Sequence, residues 1–566
     1  MHGDNADDFF AWLREGVLGD RATVPSPFGP RPLIYADYTA SGRAFRPIED
    51  FLLARVLPFY ANTHSESAFT GRQTHRFREE ARNQIRAAVG AGPEHAVIFC
   101  GSGATGAINR LIDCLGLRHR SPEASRPVVI LGPFEHHSNE LPWRESAVDL
   151  RRVPLSAEGT FDEAALAELL KTLKPGFFAS FSAASNVTGV RCDTQRISAL
   201  VHDAGGRVFW DYAAAGPYLA IDASDKDAIF LSPHKFLGGP GTPGVLVARK
   251  DLLTGSVPAV PGGGTVSFVS PDGHRYLEAL ERREEGGTPP IVETVRAGLV
   301  FALKEKVGAA RIEVQEERLL ARAEAALGAL PELRLLGPRS GPRLATLSFQ
   351  LFRRGQPLHY GFVVALLNDL FGIQVRGGCS CAGPYAHHLL GISEADSQRF
   401  DEAIASGHAV LRPGWVRMNF NYFLDEESFT YLLDAVTFVA KKGYRFLPLY
   451  RYCPAEGRWI HRDDSGAGLA SLGSAFEGPP RSPPRCDVPL TTFLAAAEAA
   501  TPPCPERTGG VPARLPALPE ALRPLQWFYL PPTKRPRRRS VSRADAPGPS
   551  CGPRRDRRLA DTSGHS

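Results

Sequence analysis

The chain has no apolar stretch long enough to span a bilayer. Its first residues, Met1-His2-Gly3-Asp4-Asn5-Ala6-Asp7-Asp8, are acidic and lack the apolar core of a secretory signal. They also lack the arginine-rich, acid-poor character of a mitochondrial presequence. An excess of charge of one sign is missing too. The formal net charge is +5 over 566 residues, too small at this length to imply a nucleic-acid binder. The nine cysteines show no even clustering, which argues against a disulfide framework and for a reducing compartment. What remains is a chain 43% apolar and 22% charged, globular in composition and long enough for more than one core.

Several strand-like runs end in turns that carry polar groups. Lys235 lies in Ser232-Pro233-His234-Lys235-Phe236-Leu237-Gly238-Gly239-Pro240, after the apolar run Asp227-Ala228-Ile229-Phe230-Leu231. A lysine buried at such a place loses charge, and a neutral amine can form a Schiff base with an aldehyde. Asp211 ends Arg207-Val208-Phe209-Trp210-Asp211, which reads as a buried strand. A protonated pyridine nitrogen would suit that acid and would make the ring an electron sink.

Upstream, Cys100-Gly101-Ser102-Gly103-Ala104-Thr105-Gly106 follows the strand-like His95-Ala96-Val97-Ile98-Phe99 and opens an apolar helical segment. Small residues let backbone N–H groups approach a phosphate at a helix N-terminus. No Lys-Ser/Thr pair follows the last glycine, so this is not a nucleotide P-loop. His136, in Glu135-His136-His137-Ser138-Asn139-Glu140, is placed to stack on a flat ring and to shuttle protons. Asn186, in Ser185-Asn186-Val187-Thr188-Gly189, can donate to a phenolate oxygen. Taken singly, each of these residues reads as well as an ordinary turn residue. Thr105, His136, Asn186, Asp211 and Lys235 together occupy five strand–turn units, and ligands in open α/β sheets bind at the carboxyl ends of strands.

This order of motifs resembles the class V aminotransferases, fold type I pyridoxal-phosphate enzymes, and within them the group II cysteine desulfurases. The resemblance runs from Tyr35-Ala36-Asp37-Tyr38-Thr39-Ala40-Ser41 to the Phe446-Leu447-Pro448 region. It implies pyridoxal 5'-phosphate held by Lys235 as Schiff-base lysine. Asp211 would lie at the ring nitrogen, His136 on the ring face and Asn186 near the 3-oxygen and the substrate. Ala104, Thr105, Ser232 and His234 match phosphate positions. Thr288, in Glu285-Gly286-Gly287-Thr288-Pro289, matches a segment that reaches the partner subunit's phosphate, which implies a homodimer. Arg417 matches the arginine for the substrate carboxylate, a task suited to a bidentate guanidinium. His64 is a further substrate-contact candidate, although a surface histidine fits it equally well.

Val375-Arg376-Gly377-Gly378-Cys379-Ser380-Cys381-Ala382-Gly383-Pro384 resembles the group II motif that carries the nucleophilic cysteine, at Cys381. That chemistry asks for a thiolate on a mobile, glycine-rich loop near cationic groups. Two departures stand out. Cys379 occupies a position where that group usually has histidine, and Ala214 stands where the branch usually has glutamine. Two cysteines one residue apart can relay sulfur, form a disulfide or bind a metal. With His387 and His388 the spacing matches no standard zinc pattern, and no metal is expected.

Three readings follow. The favoured one is removal of sulfur from L-cysteine, or of selenium from selenocysteine, giving alanine and a Cys381 persulfide. A sulfur-acceptor protein would then be a partner. The second is another class V reaction, transamination or β-elimination, with Cys381 uninvolved. The third is a pyridoxal-phosphate-binding scaffold without turnover. The joint presence of Lys235, Asp211 and Arg417 argues against a scaffold, which needs no carboxylate clamp.

The expected architecture is an α/β fold in four parts. An N-terminal segment (1–23) precedes a large domain (24–295) with a mostly parallel sheet, of the seven-stranded type that the resemblance implies. A connecting helix over Val292 to Leu330, with charges on its solvated face, leads into a smaller α+β domain, the two together spanning 296–465. A Pro/Gly/Arg-rich tail (466–566) has a composition that cannot bury enough apolar area to order itself. Two apolar islands in it, around Phe493 and Trp527, are either docking segments or pack back on the body. Lys534-Arg535-Pro536-Arg537-Arg538-Arg539 reads either as a nuclear import signal or as a solvated basic run. Ser540, after three arginines, suits a basophilic kinase. The expected compartment is the cytoplasm, with the nucleus as the alternative.

Overall fold

The computed structural model describes residues 6–63, 66–118, 125–464, 466, 468–478, 482–505, 515 and 517–531. Its centre is a seven-stranded sheet built from β1 (His95–Cys100), β2 (Val128–Leu131), β3 (Asp149–Arg152), β4 (Phe178–Ser182), β5 (Arg207–Asp211), β6 (Ala228–Leu231) and β7 (Gly244–Arg249). The spatial order is β1-β7-β6-β5-β4-β2-β3. Only β7 runs against its neighbours, pairing antiparallel with both β1 and β6. The remaining pairings are parallel. β1, β6 and most of β7 are buried throughout, as parallel strands covered on both faces must be. One core layer gathers Val97, Ile130, Ala179, Trp210 and Ile229, and the opposite layer Ile98, Val129, Phe209 and Phe230. The alternation of neighbours between layers is the two-residue period of a strand.

Helix α1 (Phe69–Ala88) covers one face and α2 (Gly103–Cys114) the other, the latter starting directly at the carboxyl end of β1. The single connecting helix expected from Val292 to Leu330 is two helices. α3 (Ile291–Val307) and α4 (Ala309–Gly328) break at Gly308, whose φ of 87° lies outside helical space. Continuous amphipathic periodicity conceals such a break, because the pattern resumes after one residue.

The smaller domain holds a sheet of β8 (Leu333–Leu335), β9 (Thr346–Arg353), β10 (Arg376–Gly378) and β11 (Trp415–Asn419), in the order β8-β9-β11-β10. Helices α5 (Tyr360–Phe371) and α8 (Glu426–Lys442) cover it, while α6 (Gly383–Leu390) and α7 (Glu394–Ala405) follow the cysteine loop. This domain has its own core, centred on Phe349, Phe362, Leu366, Val416, Leu432 and Val436.

Both apolar islands of the tail pack back on this domain. Thr23 N donates to Pro484 O (2.8 Å) and Cys486 N to Arg21 O (2.8 Å), tying the tail to the N-terminal segment. Helix α9 (Leu490–Ala499) buries Leu490, Phe493 and Ala497. Farther on, Leu525, Phe528 and Tyr529 are buried in the small-domain core. Tyr529 N donates to Pro357 O (2.8 Å), and Trp527 Nε1 donates to Leu411 O (2.9 Å). Burying an aromatic of this size contributes about 1.5–3 kcal/mol. The basic run at 534–539 and Ser540 lie outside the described residues, as does His64.

Candidate active site

The carboxyl ends of β1, β2, β4, β5 and β6 open into one cavity of about 230 Å3. Ser182 and Asp211 close β4 and β5, while Ser232 follows β6 and Ser102 follows β1. The cavity brings together Ala104, Thr105, His136, Asn186, Asp211, Ser232, His234, Lys235, Cys381 and Arg417. A parallel sheet places its strand ends side by side, so residues far apart in sequence share one rim.

Lys235 sits in the short turn after β6, its backbone N donating to Ser232 O (3.0 Å). Burial pushes its amine down to about 8. Asp211 opposes that shift, whereas Arg417 and Arg376 reinforce it. An uncharged fraction is thereby present near neutral pH. Asp211 Oδ1 accepts from Ala213 N (2.8 Å). Its carboxyl is raised by burial, with the Ala213 N–H and Lys235 pulling the other way. A buried acid in this state gains from a cation beside it.

His136 Nδ1 accepts from Ser138 N (3.0 Å), so its neutral ring carries the proton on Nε2. Burial, then the nearby Lys235, pushes this histidine down to about 3. The neighbouring Glu135 is held by Asn139 Nδ2 (2.6 Å), Ser182 Oγ (2.6 Å) and Ser182 N (2.9 Å), and burial raises it to about 7.

At the start of α2, Ala104 N donates to Ser232 Oγ (2.9 Å), and Thr105 Oγ1 lies 2.6 Å from Ser138 Oγ. Gly103 has φ +55°, and a Cβ there would stand 2.8 Å from His234 Cε1 and 2.9 Å from Ser232 Oγ. The pocket floor has room for backbone only. Burial lowers His234 to about 4. Asn186 donates through Nδ2 to Ser380 O (2.7 Å), and its buried Oδ1 has no partner. Three features fit a phosphorylated pyridine aldehyde: a bare backbone cradle at a helix N-terminus, a buried acid for a ring nitrogen and a desolvated amine. The Asn186 amide is turned the other way, its donor on Ser380 O and its acceptor toward the cavity.

Hydrogen bonds tie the cysteine loop to the turn that carries His136 and His137. His137 N donates to Cys381 O (2.8 Å), Gly383 N donates to His137 Nε2 (3.0 Å), and Ala382 N closes onto Cys379 O (3.2 Å). Ser380 and Cys381 have φ of 53° and 56°, left-handed values that non-glycine residues adopt at a cost of about 1–2 kcal/mol each. The exposed Cys381 lines the cavity. Cys379 does not line it.

Arg417 is almost fully buried. It donates to Asn186 O (3.0 Å) and to Asp37 Oδ1 (2.9 Å), while Arg376 Nε reaches Asp37 Oδ2 (3.0 Å). Asp37 thus holds two cavity arginines at once. Sequence reasoning gave it no role, although it stands in the quoted Tyr35–Ser41 motif. An acid straight after a short strand was the available signal. Thr39, Ser138 and Arg376 also line the wall without having been singled out. Thr288 lies off this cavity, on a segment where Asn62 Nδ2 donates to its Oγ1 (3.2 Å). Beside it Glu285 is anchored by Arg82 (2.8 and 2.9 Å), Phe99 N (2.7 Å) and Arg78.

The family model for aminotransferase class V matches residues 34–412. The chain is 29% identical over 386 residues to a probable cysteine desulfurase 1 of Mycobacterium leprae, covering 66% of this chain and 60% of that protein. It is 30% identical over 361 residues to a cysteine desulfurase of Serratia proteamaculans, covering 62% of this chain and 85% of the relative. Among solved structures, the apo cysteine desulfurase of Thermococcus onnurineus superposes with a TM-score of 0.61 at 26% identity, over 72% of this chain and 95% of that one. A cysteine desulfurase of Escherichia coli gives the same TM-score at 23% identity, over 76% and 98%, and supports the fold. The families matched are pyridoxal-phosphate dependent. The matched span, residues 34–412, covers more than half of the sequence, and the chain belongs to the class V aminotransferase family.

Proposed function

We propose that this protein is a cysteine desulfurase-like enzyme. It takes sulfur from L-cysteine, or selenium from selenocysteine, and leaves alanine and a persulfide on Cys381. One observation carries this reading: Lys235, Arg417 and Cys381 line the same cavity. Pyridoxal phosphate, when bound, supplies an aldehyde for Lys235 and a ring that accepts electrons from the substrate's α-carbon. Ser232, His234, Thr105 and the Ala104 backbone would hold its phosphate and Asp211 its ring nitrogen, with His136 against its face. Asn186 would reach its 3-oxygen by exchanging its Nδ2 bond to Ser380 O for one to the ring.

Lys235, uncharged in part near neutrality, carries a proton at Nζ to and from the substrate carbon. Arg417 and Arg376 present two cations on one wall for the substrate carboxylate, and Asp37 fixes their spacing. Cys381 Sγ attacks the substrate sulfur. An S–S bond forms as the Cβ–S bond breaks, and the carbon takes up a proton and leaves as alanine. Thr288, remote from its own cavity, suits service to the partner's cavity in a homodimer. No cysteine among the described residues is in a disulfide. Among the described residues no helix is long and apolar enough to cross a membrane.

A second reading, transamination or β-elimination without Cys381, is favoured by Ala214 on the cavity wall, where the desulfurase branch usually has glutamine. Incubation with L-cysteine and a reductant, with alanine and sulfide measured together, separates the two. Equal yields, lost in Lys235→Ala and in Cys381→Ala, establish the desulfurase. Amino transfer that survives Cys381→Ala establishes the second reading.

A further inference from the structure

The two cysteines of the loop face different spaces. Cys381 lines the cofactor cavity, whereas Cys379 lines a separate groove of about 430 Å3 between α6 and α7. That volume lies in the range of about 300–1,000 Å3 typical of small-molecule sites. A closed turn connects the two thiols: Ala382 N bonds Cys379 O (3.2 Å), with the two intervening residues left-handed. Two Cα–Cα steps of about 3.80 Å folded at the left-handed Ser380 leave the Cα atoms of Cys379 and Cys381 roughly 5.5 Å apart, inside the span of about 4.4–6.8 Å that a sulfur–sulfur bond bridges. The groove has an apolar floor of Leu390, Ile392 and Phe400. On its lining stand Asp401 and Arg412, and the exposed Arg412 has no ion pair among the described residues.

We propose that Cys379 is a second sulfur carrier and that its groove receives a low-molecular-weight thiol bearing a carboxylate. The proposal rests on the desulfurase reading above. Cys379, as thiolate, attacks the outer sulfur of the Cys381 persulfide. A bond forms from Cys379 Sγ to that sulfur while the bond from Cys381 Sγ breaks, and Cys381 departs as thiolate. The proton on the outer sulfur travels with it, so neither net oxidant nor reductant is required. The acceptor thiolate in the groove repeats the exchange and leaves as its own persulfide, with Arg412 holding its carboxylate. Sulfur thereby leaves through a space that the amino-acid substrate does not occupy.

The test uses the full-length holoenzyme, L-cysteine and glutathione as the probe thiol. After one turnover without glutathione, alkylation and peptide fragmentation are expected to locate extra sulfur on Cys379 as well as on Cys381. Cys379→Ser and Cys379→Ala are expected to confine it to Cys381 and to slow glutathione persulfide formation about tenfold. Arg412→Ala is expected to raise KM for glutathione about tenfold while kcat holds and 2-mercaptoethanol transfer is unaltered. Alanine formed with sulfur on Cys381 alone, and transfer undiminished in both Cys379 variants, overturns the relay while the desulfurase reading stands. A charged Cys379 that glutathione fails to discharge overturns the assignment of the groove. No alanine from the wild-type enzyme sinks the desulfurase reading and the relay with it.

Discussion

The half-buried Lys235 and the buried Lys304 line one small space with Phe236, and the same force acts on both amines. Lys235 faces the cavity, while Lys304 lies in α3 with its ammonium 5.9 Å from the ring centroid and bonded to Leu219 O. Burial pushes each down to about 8. A depressed lysine is therefore no mark of a site by itself. The difference lies in what the amine looks at. Lys235 shares an open cavity with Asp211 and two arginines, whereas Lys304 meets a carbonyl and an aromatic wall. Desolvation prepares an amine, and only an open cavity with room for a reactant beside it gives it a reaction.

The sharpest test removes each amine in turn. Lys235→Ala should abolish alanine formation, by about 10³-fold or more, without lowering the melting temperature. Lys304→Met should leave turnover intact. A turnover loss in the second variant would break the comparison.

Next comes stability against pH. For Lys304 the folded value of about 8 lies below the ordinary lysine value of 10.5. Between those values the unfolded chain binds more protons, so stability rises with pH across that window. Below pH 8 the handicap is constant, at about 3 kcal/mol. Denaturant titrations of wild type and Lys304→Met should therefore differ most at neutral pH and converge by pH 10.5. Parallel curves would show that Lys304 is not buried as described.

A smaller effect belongs to the cavity side alone. Gly103→Ala places a methyl against His234 and Ser232 in a left-handed backbone. Pyridoxal-phosphate affinity, followed by absorbance, should fall about tenfold or more, with Lys304 unaffected. Least of all, activity should show no inflection from His136 above pH 5, since this ring is held neutral down to about 3. An inflection removed by His136→Gln would contradict that.

Much of the cavity was legible because parallel strands end where their chemistry begins. Asp211, Lys235, His136 and Thr105 each follow an apolar run, so residue type and position pointed the same way. What was not legible came from other directions. Arg376 and Ser380 reach the cavity from the small domain, and the Asp37 double clamp depends on a contact 380 residues apart in sequence. The break at Gly308 was hidden because periodicity carried across it. The apolar islands of the tail stayed open between two outcomes, since five or six apolar residues among prolines show no period that says where they bury.

The strap around Trp527 changes what counts as the smallest working piece of this chain. Trp527 stacks on Tyr360 with an interplanar angle of 12°. Tyr360 in turn fills the space beside Gly377 and Gly414, where added methyls would stand 2.7 and 2.8 Å from its ring. Those glycines belong to and border the strands that carry the cysteine loop and Arg417. The segment matched by the family model ends at residue 412, yet the wall behind the loop is finished by residues near 527. Trimming to the matched segment would leave the chemistry's residues present and their backing gone. Deletion of residues 517–531 is the variant to watch, because it would strip the backing of the loop without touching a single residue of the cavity.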